Sequence, residues 1–419
     1  MKMNQLRINR QRLMDRLSEL SKIGRNPNGG IDRAFGSEAD RAARAWLTEL
    51  WQQALGEAAV PDAAANLWLL LKGSETLAPI IVGSHHDAVP NGGMYDGALG
   101  VLSATEVAQT LRENGCVTRH PLKLVSFTGE EPNPFGVSTL GSKVVSGRLT
   151  KSDLLSLRHR DTGETLQSAL LQVGGNAEQA QNARLTKDSF FAFLELHVEL
   201  GRQLEKLGCI TSAVSTITGI YREQITVRGE ANHAGTTVMG DRHDALSAAA
   251  ELALGYETLL TRTNRDDTVG TIGQIAVSPN AANIIPGQAV LTLELRTSDE
   301  QAKGQILAGL ETLVRQIKTK RGVTVQRAVQ LDQPPIPMDL AVRQTVEQSL
   351  QAMGQPPLAV ASMAGHDAAN MQLIAPSGMV FVRSVGGKGH CPAEYSAPEE
   401  IETAANVLLQ AVLRLDQLG

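Results

Sequence analysis

Apolar residues recur along this chain with two alternating periods. Residues 12–23 place Leu13, Met14, Leu17, Leu20 and Ile23 on one stripe at helical spacing, and Ser37-Glu38-Ala39-Asp40 has the form of a capping box opening a second helix through about residue 54. Residues 66–71 and 80–82 are short, β-branched or leucine-rich runs of strand length, and 98–111 returns to helical spacing. Further buried-strand runs occupy 122–128 and 190–197. Strands alternating with helices predict an α/β fold whose sheet is mostly parallel and flanked by helices.

The texture changes near residue 211. Residues 217–228 alternate apolar and polar positions, 242–260 form a long Ala/Leu-rich helix, 268–277 and 289–296 are strands, 300–320 is a helix, and 323–331 closes the unit. That order predicts a compact α+β insert with helices on one face of an antiparallel sheet. Gln333-Pro334-Pro335-Ile336-Pro337 is a stiff linker, followed by a helix from Asp339, a strand at 379–383 and a last helix from Pro398. The expected parse is one domain built from residues 1–211 and 332–419, interrupted by an inserted domain at 212–331.

Size and composition agree with two domains. The chain has 419 residues, beyond the ~250–300 at which a single core usually stops growing. Hydrophobic content of 42% and charged content of 20% are those of a globular protein, and a net charge of −5 leaves no basic footprint for nucleic acid. No apolar run reaches the ~18 residues of a membrane span, and the amino terminus lacks a signal-peptide core. Three scattered cysteines, Cys116, Cys209 and Cys391, argue against a disulfide framework and suit the reducing cytoplasm.

Candidate chemistry gathers where strands end. His85, Asp87 and Asp96 follow one apolar run, Glu130 and Glu131 a second, Glu195 and His197 end a third, and His390 with Glu394 follow a fourth. In open α/β sheets, ligands bind outside the carboxyl ends of strands. Taken singly, each feature has an ordinary explanation: a polar loop, a solvated Glu-Glu pair, a hydrogen-bonded core histidine. Together they are the inventory two metal ions sharing one carboxylate would need, since imidazole nitrogen and carboxylate oxygen both suit zinc. One of two adjacent glutamates could then ligate while the other takes a proton from water, its pKa raised by burial beside other carboxylates. His120 and His159 lie in polar surroundings and receive no role.

The stretches G-S-H-H-D-A-V-P-N-G-G-M-Y-D-G-A-L-G-V-L (83–102), F-T-G-E-E-P-N-P-F-G (127–136), E-L-H-V-E-L-G (195–201), N-H-A-G-T-T-V-M-G-D-R-H-D-A (232–245), P-N-A-A-N-I-I-P-G (279–287), A-G-H-D-A (364–368) and G-H-C-P-A-E-Y-S (389–396) run in order over nearly the whole chain. In these it resembles the two-zinc amidohydrolases of the aminoacylase and glutamate-carboxypeptidase superfamily. Within that group it is most similar to the branch of N-carbamoyl-L-amino-acid hydrolases, β-ureidopropionases and allantoate amidohydrolases.

The resemblance implies that His85, Asp96 and His197 hold one zinc and that Asp96, Glu131 and His390 hold the second, with Asp96 bridging. Manganese, cobalt or nickel would suit the same ligands. It makes Glu130 the general acid/base, Asp87 the carboxylate that orients His85, and His233 the oxyanion stabiliser, supplied by a partner subunit. Asn283 and Arg296 match positions that grip a substrate carboxylate, and Leu200 stands where a substrate-contacting Gln is usual. The insert becomes a dimerisation and lid domain. The implied reaction is hydrolysis of a ureido or amide bond of a small carboxylate by a homodimer, with N-carbamoyl amino acids, allantoate and N-acyl amino acids as rival substrates. A homologue that kept the fold and lost turnover is the alternative from another class. Besides Leu200, the chain departs from the family at Pro132-Asn133-Pro134 after the glutamates, at Val238, and at Lys388-Gly389 before His390; no predicted ligand is lost.

Overall fold

The computed structural model of the chain describes residues 6–418. It divides into two compact units, one formed by Met1–Ser215, Met338–Val360 and Ala364–Gly419, the other by Thr216–Pro337 with Ala361–Met363. The first has a mixed α/β fold centred on parallel strands. Ser377–Val382, Ala192–Val198, Ile80–His85 and Leu122–Phe127 lie side by side in parallel. Antiparallel neighbours flank them: residues 211–213 beside Ser377–Val382, and Leu67–Leu71 beside Leu122–Phe127. Every residue of Ile80–His85, Ala192–Val198 and Ser377–Val382 is buried, so both sheet faces are covered. Apolar residues accordingly dominate these runs, and two of the buried polar exceptions, Ser84 and Glu195, bond to each other.

The helices Arg10–Lys22, Glu38–Leu55, Ala98–Glu113, Leu340–Ala352 and Pro398–Leu415 share one core with the sheet. Trp51, fully buried, still satisfies its indole N–H on Thr105 Oγ1 at 2.8 Å. Two sequence expectations shift here. Pro90-Asn91-Gly92-Gly93, a stretch whose residue types predict a turn, instead gives its first three residues to the strand Ala88–Gly92 against Ile31–Arg33, because that segment has a partner that local sequence does not reveal. The capping box of Glu38–Leu55 is half made: Ser37 Oγ accepts the Asp40 N–H, but the Asp40 carboxylate turns to Gly36, Arg44 and His86 instead of back to Ser37.

In the second unit Thr268–Ser278, Gln288–Thr297, Gly219–Arg228 and Thr324–Gln333 form an antiparallel sheet in that order. Gly219–Arg228 and Gln288–Thr297 alternate buried and open positions, as a sheet with one covered face must. Tyr221, Ile225, Leu291 and Leu293 pack against Ala248, Leu252, Ile306 and Leu310 of the helices Ala245–Thr261 and Glu300–Arg321. Among the described residues, no helix is long and apolar enough to cross a membrane.

Candidate metal centre

The parallel strands deliver their last residues to one place. His85 is the final residue of Ile80–His85, His197 the penultimate residue of Ala192–Val198, and Glu130 and Glu131 follow Leu122–Phe127 by a short turn. Asp96 sits just before the helix Ala98–Glu113, and His390 follows Ser377–Val382 on a glycine-rich loop. His85, Asp96 and His197 each offer a ligand atom within 4.8 Å of the others, and so do Asp96, Glu131 and His390.

Asp96 belongs to both groups, and its two oxygens divide between them. Oδ1 lies 3.1 Å from His197 Nε2 and 3.6 Å from His85 Nε2, while Oδ2 lies 3.1 Å from His390 Nε2. His390 Nε2 is also 3.4 Å from Glu131 Oε1. The other nitrogens of the two strand histidines face backbone carbonyls: His85 Nδ1 is 3.2 Å from Asp87 O, and His197 Nδ1 is 2.9 Å from Val198 O. This leaves both Nε2 atoms, 3.5 Å apart, turned toward Asp96. Asp96 Oδ2 and Glu131 Oε1 are buried and accept no well-formed hydrogen bond. Buried carboxylate oxygens without donors are costly unless a cation meets them, so this donor set fits two divalent ions.

Asp87 joins the strand ends. Its Oδ1 accepts the Glu130 N–H at 3.2 Å and its Oδ2 the Glu131 N–H at 3.0 Å, while Oδ1 lies 3.5 Å from His85 Nδ1. Glu130 is nearly buried, and its Oε2 is 3.7 Å from His85 Nε2. Burial, partly countered by His85 and reinforced by Glu131, Asp367 and Asp87, holds the Glu130 carboxyl well above the usual carboxylate range. Burial and then Asp96 push Glu131 up to about 8. Against burial, the charges of Glu130, Asp87 and Asp96 keep His85 well above an ordinary imidazole. His390 is raised to about 9, chiefly by the close approach of the Asp96 carboxylate to its Nε2. Cations binding among these groups would therefore compete with protons.

Several neighbours had no assigned role in the sequence. Glu195 accepts from Ser84 Oγ at 2.7 Å and from the Ala368 N–H at 3.0 Å. His366 sets its ring edge-on to His197, centroids 4.5 Å apart, and could form a ligand group with Glu195 and His197. His86 is fully buried, with Nε2 2.8 Å from Asp40 Oδ1 and Nδ1 2.7 Å from Ser126 Oγ. The motifs A-G-H-D-A and S-H-H-D were the available signals, but neither says what its second polar residue touches. His120 contacts the carbonyls of Ala78 and Leu418 and stacks on Phe191, a structural position. His159 accepts two backbone N–H bonds of its own turn.

Leu200 is half-buried and has φ +60°, a left-handed conformation unusual for leucine. Its N–H donates to Ser384 Oγ, and its side chain fills the space in front of Gly389, where a Cβ would fall 2.3 Å from Leu200 Cδ2. Leu200 thus packs on the segment that ends in His390, itself at φ +54°.

His233, Asn283 and Arg296 lie in the second unit. His233 is exposed, and its Nδ1 accepts the N–H groups of Gly235 and Thr236, which places the proton of the neutral ring on Nε2. Asn283 is beside it, its carbonyl accepting the Ala234 N–H at 3.0 Å. Arg296 is held by Glu294 Oε1 at 2.8 Å and by the Met363 carbonyl at 3.1 Å.

Comparison with known proteins follows the same lines. Residues 81–414 match peptidase family M20/M25/M40. The chain is 35% identical over 412 residues to an N-carbamoyl-L-amino acid amidohydrolase of Geobacillus stearothermophilus, spanning 98% of this chain and 99% of that protein. It is 33% identical to a ureidoglycolate hydrolase of Oryza sativa subsp. japonica, over 96% of this chain and 84% of the other. Among solved structures, an amidase of the hydantoinase/carbamoylase family from Burkholderia multivorans superposes with a TM-score of 0.89 at 32% identity, covering 98% of both chains.

Proposed function

The chain belongs to peptidase family M20/M25/M40, a metal-dependent hydrolase family, and we propose that it cleaves the ureido bond of an N-carbamoyl amino acid or a related small carboxylate. It is a hydrolase of C–N amide bonds. In the proposed reaction one water and the N-carbamoyl substrate give the free amine, ammonia and carbon dioxide. The observation that carries the reading is Asp96, one carboxylate facing two separate ligand groups with Glu130 alongside.

His85, Asp96 and His197 would hold one ion, and Asp96, Glu131 and His390 the other. Zinc suits these nitrogen and oxygen donors, and manganese, cobalt and nickel share the preference. Bound there, two divalent ions lower the pKa of water toward neutrality and polarise a carbonyl. Glu130, outside both ligand groups, accepts the proton that water gives up and returns it to the departing nitrogen. Asp87 keeps His85 turned inward and ties Glu130 and Glu131 to it through their backbone N–H groups.

His233 carries an Nε2–H donor for the oxyanion that develops on the carbonyl, a role in which we assign it to a substrate held by the partner subunit. The Thr216–Pro337 unit would pair two such chains as a homodimer. Arg296, its guanidinium held in place by Glu294 and Met363, and Asn283 are assigned to the substrate carboxylate. Leu200 would present an apolar wall to the substrate. Three unpaired cysteines support a cytoplasmic location.

Ammonia release decides among substrates. The zinc-loaded protein is assayed with N-carbamoyl-L-amino acids, β-ureidopropionate, allantoate, ureidoglycolate and N-acyl amino acids, the last read by amine formation. Highest kcat/KM on an N-carbamoyl amino acid is the expected result. A preference for ureidoglycolate or allantoate would move the chain to that activity, and bound zinc with no turnover on any of them would identify a binding homologue.

A further inference from the structure

Glu394 lies four residues beyond His390, buried against the start of the Ala98–Glu113 helix. Its Oε1 accepts two successive backbone N–H groups, those of Tyr95 at 2.9 Å and Asp96 at 3.0 Å. The contact joins residues 298 positions apart. Room for it comes from Gly93, where any Cβ would fall 2.3 Å from Glu394 Cδ and 2.5 Å from its Cβ. Tyr395 adds an edge-on ring contact to Tyr95, and the Glu394 N–H closes a turn on the Cys391 carbonyl. One carboxylate therefore couples the segment that carries Asp96 to the segment that carries His390.

We propose that Glu394 is a positioning residue that holds Asp96 in register with His390, and that it serves the second ion of the centre selectively. This rests on the two-ion reading above. The selectivity follows from how the other ligands are anchored. His85 and His197 belong to central strands, and their rings are turned by the carbonyls of Asp87 and Val198. His390 has no such strand beneath it; it is half exposed on a loop containing Gly386, Gly387 and Gly389. Without Glu394 the group formed by Asp96, Glu131 and His390 loses its tie, while the group formed by His85, Asp96 and His197 keeps its strand anchors.

The test is zinc binding, read against a chromophoric chelator after the full-length protein has been stripped of metal. Wild type is expected to take two equivalents; a failure to do so would refute the two-ion reading itself. In Glu394→Ala the first equivalent is expected to bind as in wild type and the second roughly 10- to 100-fold more weakly, the usual cost of losing a group that orients a ligand. Glu394→Gln keeps an oxygen able to accept both N–H bonds and is expected to retain both equivalents. Glu394→Asp keeps the charge but withdraws the carboxylate by one methylene, and is expected to lose the second. Glu394→Asp also decides the matter should Glu394→Ala fail to fold. The proposal is overturned if either shortened variant binds the second ion as tightly as wild type, if both equivalents weaken equally, or if Glu394→Gln loses the second ion.

Discussion

Asp40 offers a quantitative test of how the centre is supported from behind. It is fully buried, and its carboxylate accepts from the Gly36 N–H at 2.9 Å and Arg44 Nε at 3.0 Å, with His86 Nε2 at 2.8 Å. Burial raises its pKa, but the Arg44 charge and the His86 hydrogen bond prevail and bring it down to about 2 from an ordinary 3.8. That difference is worth about 2–3 kcal/mol of folding stability at neutral pH. The folded-state pKa is depressed, so the contribution is complete above the ordinary value and disappears as pH falls through the folded one; roughly half is gone by pH 3. Asp40→Asn also sets an amide N–H₂ against donors that need an acceptor, although Arg44 keeps the Ala65 carbonyl and Thr128. We expect a loss of about 2–4 kcal/mol, the lower figure from the proton affinity and the upper from the usual cost of breaking a buried pair. Urea unfolding followed by circular dichroism, with wild type and Asp40→Asn compared at pH 7, 5, 4 and 3, reads it directly. Wild type should lead at pH 7 and the lead should shrink toward pH 3. A difference below about 0.5 kcal/mol at pH 7, the scatter of neutral surface changes, or a difference that persists undiminished at pH 3, would refute the reasoning.

Glu130→Gln should keep its full complement of zinc by elemental analysis, because Glu130 belongs to neither ligand group, while kcat falls by roughly 10²–10⁴-fold for want of a proton carrier. Loss of zinc in that variant, or near-normal kcat, would remove Glu130 from the role assigned to it. Leu200→Gln restores one polar contact and should shift the ratio of kcat/KM between ureido and N-acyl substrates toward the ureido compound, by up to about ten-fold for a single neutral hydrogen bond. An unchanged ratio would show that this side chain does not face the substrate.

Which parts of the molecule could be foreseen follows from how far apart the cooperating residues lie in sequence. Buried parallel strands announce themselves as mainly apolar runs, because both faces are covered, and their polar residues gather toward the strand's carboxyl end. His85 and His197 were legible for that local reason, as were Glu130 and Glu131 one turn beyond Phe127. The alternation of Gly219–Arg228 and Gln288–Thr297 likewise marked a sheet with one open face. What sequence concealed is the set of polar bonds between segments that no periodicity connects. Asp40 has the local signature of a helix cap, and half of that signature is real; only the folded chain brings His86 to it across 46 positions. Ser84 meets Glu195 across 111 positions and Asp96 meets Glu394 across 298. Such bonds join segments far apart in sequence, and they turn polar side chains at several strand ends into a centre of defined geometry. The same distinction explains why short motifs point to ligand-type residues and say little about what His86, Glu195 or Glu394 touches. A ligand is marked by its own residue type at a strand end, whereas a positioning residue is marked only by the atom it touches.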